Sequence, residues 1–179
     1  MQKEFGGLWP RLKALILDYI VIAVYLVLIV LLGLLLKSLA PSFVGAVFGK
    51  EYSSELFGFI TITLPVSLYF ALSEASSQQA TWGKRIGKLK VLCIKDGKRL
   101  STARSFVRTA LKFIPWELSH ASIWYITFHP DSFSPLFTIG ITIVFLLVGL
   151  NILVLVLNHK HQTLYDMIAG TFVEKTFSR

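Results

Sequence analysis

The sequence predicts an all-α protein built as a bundle of transmembrane helices. Three observations support this: a charge-poor composition, long apolar blocks, and a short motif that occurs twice. Of the 179 residues, 54% are hydrophobic and only 16% are charged, which is too apolar for an ordinary soluble domain. We expect a single membrane domain over residues 1–179, with four spans arranged as two similar helix pairs and a short cytoplasmic hairpin after the second span.

Four segments are candidates for the spans. Residues 14–36 contain one charge, Asp18, and extend about 34 Å as a helix, enough to cross a hydrocarbon core of roughly 30 Å. Residues 56–72 and 136–157 are also long enough to span, and the latter segment contains no charged residue. Residues 105–128 are more polar, so hydropathy alone does not decide whether they cross.

The basic residues are distributed unevenly along the chain. All but Lys37 and Lys50 of the 18 lysines and arginines lie before the first span, within residues 84–112, or after the last span. Glu51 and Glu55 balance the two exceptions, so the first loop carries no net charge. The positive-inside rule therefore makes this loop external and the N terminus cytoplasmic. The placement of cations on the cytoplasmic side of the cell membrane thus accounts for the net charge of +8, and we expect no nucleic acid as a partner.

A hairpin is predicted on the cytoplasmic side. Residues 89–94 alternate and are rich in apolar side chains, Asp96 and Gly97 form a turn pair that tolerates positive φ, and residues 98–100 begin the return strand. The surrounding cations indicate binding to anionic lipids of the inner leaflet. The first of these cations are Lys84, Arg85, Lys88 and Lys90.

The segment after the hairpin allows two interpretations. Arg104, Arg108 and Lys112 recur every four residues and share one stripe of a helix. The helix could lie flat on the inner leaflet with this stripe on head groups, which gives three spans. It could instead cross with the stripe at its cytoplasmic end, which gives four spans and leaves Glu117 inside the bundle and Asp131 outside.

An internal repeat favours the second interpretation. TWGKRIGKLKV (81–91) and TLYDMIAGTFV (163–173) share the frame Thr-x-x-(charged)-x-Ile-(Gly/Ala)-x-x-x-Val, and each follows an apolar helix. If the two halves are parallel repeats of two helices plus a motif, both motifs lie on the same side of the membrane. An even number of crossings then separates them, so the C terminus is also cytoplasmic.

No motif indicates a metal, a cofactor or an active site. Cys93 is the single cysteine, and the chain has no Cys/His spacing of a metal site. His159 and His161 would face different sides of a helix. Glu117 and His120 would share a face and could hold a proton, or could lie at the interface. Without a nucleophile and base in a recognisable arrangement, we do not expect an enzyme.

Asp18 is the most informative single residue. An ionised carboxylate at the centre of a span costs on the order of 2.5–3.5 kcal/mol on insertion scales, so it needs a partner or access to water. Arg11 lies on the same helical face, about 10 Å away along the axis. Asp166, beyond the last span, is an equally good partner for Arg11. We expect the three residues to meet at the cytoplasmic end of the bundle.

These residues lie in segments that resemble the RDD family of bacterial membrane proteins, which is named for one arginine and two aspartates. The segments are PRLKALILDYI, TWGKRIGKLKVLCIKDGKRLS and QTLYDMIAGTFV, so the resemblance covers nearly the whole chain. It implies that Arg11, Asp18 and Asp166 are signature residues. It also implies supporting positions at Thr81, Gly83, Lys84, Gly87, Gly97, Arg108, Thr163 and Thr171. Tyr165 stands where the family often has histidine, so a proton role of that histidine does not transfer.

Two classes of function are compatible with these observations. The first is a small transporter or transporter subunit in which Asp18, with Arg11 beside it, exchanges a proton for a cation or small solute. A homodimer is expected in that case, because four helices enclose little volume. The second is an accessory or regulatory protein that binds another membrane protein, with the arginine and aspartates only locking its helices together. The sequence carries no substrate signature.

Overall fold

The computed structural model describes residues 4–130 and 135–176. Asp131, expected outside the membrane, is not among them. The long helices are α1 (Leu8–Leu39), α3 (Glu51–Gly58) continued through a π-helical turn (Phe59–Thr63) into α4 (Leu64–Ala75), α6 (Thr102–Phe128) and α7 (Pro135–Leu157). The short elements are α2 (Pro41–Phe48), α5 (Trp82–Ile86), α8 (Leu164–Ile168), β1 (Leu89–Cys93) and β2 (Thr171–Lys175).

Three helical segments of the described chain are long and apolar enough to cross a bilayer: Leu8–Leu39, Glu51–Ala75 and Pro135–Leu157. They contain three of the predicted spans, and the predicted membrane helix bundle is confirmed. The fourth predicted segment lies within α6, an unbroken helix of 27 residues despite Pro115. It is about 40 Å long but more polar than the other three, so the number of spans stays a prediction.

The apolar side chains of α1 and α7 are largely exposed on the outside of the bundle. Val27 and Leu28 on α1 are 58% and 60% exposed, and Phe145 on α7 is 72% exposed. A water-soluble protein rarely presents such a continuous apolar surface. These faces suit contact with lipid chains.

The two copies of the repeated motif fold alike. Thr81 caps α5 by accepting a hydrogen bond from the backbone N–H of Lys84 at 3.4 Å, and Thr163 caps α8 by accepting one from the backbone N–H of Asp166 at 3.2 Å. Each five-residue helix is followed by a five-residue strand, and the two strands pair antiparallel. The repeated frame is therefore a structural repeat.

The predicted turn at Gly97 is present, with φ of 66° in the left-handed region that favours glycine. Its return strand is reduced to one bridge between Leu92 and Arg99. The main partner of β1 is β2, and Phe5 adds a further bridge to Glu174. The small sheet thus ties the first, middle and last parts of the chain together.

This sheet brings four helix ends to one side of the bundle: the start of α1, the end of α4, the start of α6 and the end of α7. We call this side the basic end. A small apolar core closes it, formed by Ala14, Leu89, Val91, Leu100 and Val173. At the far side, α6 packs tightly on α7, since a Cβ on Gly140 would lie 2.6 Å from the hydroxyl oxygen of Ser122.

Candidate functional site

Arg11 connects the first helix to the segment that follows the last one. Its Nη1 donates to Oδ2 of Asp166 at 2.6 Å, and its Nη2 donates to the carbonyl oxygen of His161 at 2.5 Å. Its Nε donates to the carbonyl oxygen of Gly6 at 2.7 Å. The Arg11–Asp166 pair that the sequence predicts is therefore formed.

Asp166 is fully buried between two guanidinium groups. Arg108 reaches its Oδ1 with both Nε and Nη2 at 2.8 Å. The hydroxyl of Thr171 donates to Oδ1 at 3.2 Å, and the backbone N–H of Thr163 donates to Oδ2 at 3.3 Å. Burial by itself raises the pKa of Asp166, but the charges of Arg108 and Arg11 outweigh it and hold that pKa well below its usual range. Asp166 is thus an ionised anchor at neutral pH.

The ion pairs continue beyond Asp166. Arg108 also contacts one carboxylate oxygen of Glu74, and the other oxygen contacts the ammonium of Lys84. Burial lowers the pKa of Lys84, and the charge of Glu74 offsets only part of this effect. We call this continuous chain the ionic cluster; its members, from five different helices, are Arg11, Asp166, Arg108, Glu74 and Lys84.

Glu74 is missing from the residues that the sequence predicts for the site, although it is fully buried at the centre of the cluster. A signal was available, because Glu74 is a lone carboxylate at the end of an apolar span, the same kind of feature that singled out Asp18. Lys84, expected to bind anionic lipid, is instead buried against Glu74. That expectation is wrong for Lys84, since an ammonium paired inside the bundle cannot reach head groups.

The basic stripe of α6 also faces the protein rather than head groups. Arg104 contacts β1, Arg108 belongs to the ionic cluster, and Nζ of Lys112 lies 3.3 Å from the centroid of the Phe70 ring. This is a correction to the interpretation in which the stripe lies on the inner leaflet. The exposed cations between residues 84 and 112 are Arg85, Lys88, Lys95, Lys98 and Arg99, and the last three surround the turn.

Asp18 is 1% exposed and belongs to a second, separate network. Its Oδ1 accepts hydrogen bonds from the hydroxyl of Tyr69 and the backbone N–H of Gly83, both at 2.8 Å, and its Oδ2 accepts one from the hydroxyl of Thr81 at 2.6 Å. Within residues 4–130 and 135–176 no cation pairs with Asp18, so the expected link to Arg11 is not formed. The N-terminus of α5 places hydrogen-bond donors next to Asp18. The guanidinium of Arg11 instead contacts Asp166 and His161, which follow the last span.

Gly83 allows α5 to approach α1 closely enough for these hydrogen bonds to Asp18. A Cβ at this position would lie 2.0 Å from the carbonyl oxygen of Ala14 and 3.0 Å from the carboxyl carbon of Asp18, so no side chain fits. A Cβ on Gly87 would meet nothing closer than the carbonyl oxygen of Gly83 at 3.4 Å. Of these two supporting glycines, local geometry requires only the first.

A cavity of about 490 Å³ lies among α1, α4, α6 and α7 next to the basic end. Its size is within the usual range of roughly 300–1,000 Å³ for small-molecule sites. The wall is mainly apolar and includes Leu12, Ile22, Phe113, Trp116, Val144 and Val148. The charged residues that line it are Arg11, Asp18, Lys84, Arg108 and Lys112.

Tyr165 occupies the position where the resemblance leads one to expect histidine. Its ring lies under the guanidinium of Arg108, 5.1 Å from Cζ to the ring centroid, and it lines the cavity. Burial raises the pKa of the Tyr165 phenol, and the negative charge of Asp166 raises it further. Tyr165 therefore stays protonated at neutral pH and does not supply the proton exchange of an imidazole.

The predicted Glu117 and His120 pair shares one face of α6, with Nδ1 of His120 3.7 Å from Oε1 of Glu117. In the described part of the chain, no group of three or more histidine, cysteine, aspartate or glutamate residues is arranged to hold a metal ion.

Comparison with known proteins identifies one family. The sequence model of the RDD family matches residues 5–170, which include all three signature residues, the first copy of the motif and most of the second. The uncharacterized protein YckC of Bacillus subtilis is 27% identical over 168 residues, which cover 94% of this chain and 83% of that protein. No solved structure matches.

Proposed function

Since this chain belongs to the RDD family and is a multi-pass membrane protein, we propose that it is a small transporter, or a subunit of one, which binds a solute in the cavity between its long helices. The observation that carries this proposal is the cavity itself, about 490 Å³ in volume, with its charged groups gathered at the basic end. Helical bundles commonly build ligand sites in their cores from side chains on facing helices.

The proposal includes four spans with both termini on one side of the membrane. The pairing of β1 with β2, together with the Arg108–Asp166 ion pair, holds the start of α6 beside the end of α7. Because α7 crosses towards the basic end, the preceding helix α6 must carry the chain away from that end. With only three spans, Arg108 and Asp166 would lie on opposite faces of the bilayer.

The basic end is proposed to face the cytoplasm of the cell. It carries most of the cations, among them Lys13, Arg85, Lys95 and Lys160, whereas Lys37 and Lys50 lie towards the other end. The positive-inside rule then orients the bundle.

The ionic cluster has a structural role in this proposal. Its carboxylates, Asp166 and Glu74, are each held by two cations, so neither is free to bind a cargo cation. Asp18 lines the cavity, but three donors already occupy its oxygens. Proton coupling through Asp18 is therefore a hypothesis, and the substitution Asp18→Asn tests it directly. If Asp18 is the coupling residue, the Asp18→Asn protein should fold but its flux should no longer respond to pH.

The experiment for the main proposal is flux into liposomes that contain only this protein. Octanesulfonate and sodium ions serve as probes, because both stay charged at neutral pH and cross bare bilayers slowly. We expect uptake of at least one probe above that of protein-free liposomes. Val144→Phe, which fills the cavity wall, should abolish it, whereas the same substitution at the lipid-exposed Val30 should not. Uptake equal to that of protein-free liposomes for both probes would reject transport of these ion classes.

An accessory role is the second candidate, and the exposed cations of the turn favour it. Lys95, Lys98 and Arg99 are presented to the surroundings at the basic end, where an acidic segment of another membrane protein could bind. A photo-crosslinker at position 98 in living cells should then give one defined adduct. Replacing the two neighbouring cations, Lys95 and Arg99, with glutamine should weaken that adduct while leaving the flux experiment unaffected.

A further inference from the structure

Lys112 differs from the other cations that line the cavity. Arg11, Arg108 and Lys84 each pair with a carboxylate, but across the described ranges 4–130 and 135–176 no carboxylate lies within ion-pair distance of Lys112. Its ammonium instead rests on the ring of Phe70, 3.3 Å from the centroid. A cation–π contact attracts an ammonium but does not neutralise it.

The charges around this end of the cavity therefore do not balance. Among the residues that the structure describes there, four cations, Arg11, Lys84, Arg108 and Lys112, stand against three carboxylates, Asp18, Glu74 and Asp166. One positive charge is in excess, and it borders a wall that is mainly apolar. An uncompensated charge in such surroundings is costly, so an anionic ligand at this point would be favoured.

We propose that the cavity binds an organic monoanion with an apolar tail. Its head group contacts the ammonium of Lys112, and its tail lies along the wall formed by Phe113, Trp116 and Val144. The inference rests on the proposed function, because it names the ligand class of the same cavity. A cation is disfavoured by the excess positive charge. Asp18, the one carboxylate among the described residues that line the cavity, already accepts three hydrogen bonds.

The test measures binding of radiolabelled octanesulfonate to the protein in nanodiscs of phosphatidylcholine by equilibrium dialysis, with protein-free discs correcting for partition into lipid. Binding should be saturable. Lys112→Met keeps the apolar stem of the side chain and should weaken binding by at least about tenfold, the usual effect of losing a charge-assisted contact. Lys95→Met removes the same charge at an exposed position and should leave the affinity unchanged.

Equal affinity of wild type and Lys112→Met for octanesulfonate would overturn the proposal. Competition by octanol or octyltrimethylammonium that is as strong as competition by unlabelled octanesulfonate would also overturn it. If Lys112→Met does not fold, Val144→Phe takes its place, since it narrows the cavity from α7. Loss of saturable octanesulfonate binding in Val144→Phe supports the cavity as the site, and unchanged binding contradicts it.

The anion could be a soluble organic anion or a single-chain lipid, and both share the same chemistry. Discs that contain oleate distinguish the sources: oleate that lowers octanesulfonate affinity in wild type but not in Lys112→Met identifies a lipid as a ligand. If oleate has no effect while octanesulfonate binds through Lys112, the ligand is a soluble anion. Binding without flux would reject transport but keep the ligand class, whereas sodium flux without octanesulfonate binding would reject the ligand class but keep transport.

Discussion

Arg11 and Asp166 lie 155 positions apart in the chain, yet Nη1 of the first is 2.6 Å from Oδ2 of the second. The pair joins the start of α1 to α8, beyond the last span. Because the guanidinium of Arg108 holds the other oxygen of the same carboxylate, loss of the negative charge would leave two buried cations facing each other.

Asp166→Asn should therefore destabilise the protein strongly. Removing one partner of a buried pair typically costs about 3–5 kcal/mol, which thermal unfolding in a mild detergent can detect. Glu4→Gln is the matched control, because it breaks an exposed ion pair with Lys175 and should cost no more than about 1 kcal/mol. Similar losses in both variants would mean that the buried cluster does not hold the basic end together.

The folding stability of the protein should also depend on pH through Asp166. The pKa of Asp166 is lower in the folded protein than the ordinary value of about 3.9 expected in the unfolded chain. The ionised carboxylate therefore adds stability above about pH 4, and this contribution is lost as the pH falls towards the folded pKa. The difference in stability between wild type and Asp166→Asn should shrink in acid. A difference that stays constant down to about pH 3 would contradict this assignment.

Gly83→Ala should disrupt the contact between α1 and α5, because its Cβ would lie 2.0 Å from the carbonyl oxygen of Ala14. Both backbones would have to shift, and Asp18 would lose its donor at Gly83. Gly87→Ala is a control in the same motif, where a Cβ meets only ordinary contacts. We expect Gly83→Ala to lower the melting temperature clearly and Gly87→Ala to change it little. The reverse order would refute the close approach.

Four spans predict a defined labelling pattern. In a Cys93→Ser background, single cysteines replace Lys50, Pro130 or Lys160 and are treated in intact cells with a maleimide that does not cross membranes. Positions 50 and 130 should react, and position 160 should react only after the cells are opened. With three spans, position 160 would react from outside and position 130 would not.

Lys112 and Arg108 lie on the same stripe of α6 but should respond differently to substitution. Arg108→Met removes a buried cation held by two carboxylates and should lower thermal stability by an amount comparable to Asp166→Asn. Lys112→Met removes a charge without a carboxylate partner in the described chain, so the stability of the ligand-free protein should be unchanged or higher. A large loss of stability in Lys112→Met would assign Lys112 a structural role instead.

Much of the architecture could be predicted because it depends on local sequence. The helices of the three apolar spans follow from continuous runs of apolar residues, and the turn at Gly97 follows from its tolerance of positive φ. The equivalence of the two motifs follows from their shared frame, with Thr81 and Thr163 as caps. Of the site, the burial of Asp18 and the pairing of Arg11 with Asp166 could be expected from the cost of unpaired charge in an apolar span.

By itself, the sequence determined that this protein is a membrane helix bundle with its cations gathered at one end. Hydropathy and charge are properties of each residue and of its neighbours in the chain, so they do not depend on which helices are in contact. Only the tertiary structure decided which charges meet. Asp18 bonds to α5 rather than to Arg11, because Gly83 lets two backbones approach closely. Glu74 enters the cluster, while Lys112 faces the cavity without a carboxylate partner in the described chain. Such contacts depend on how whole helices are positioned relative to one another, and a local sequence pattern does not specify those positions.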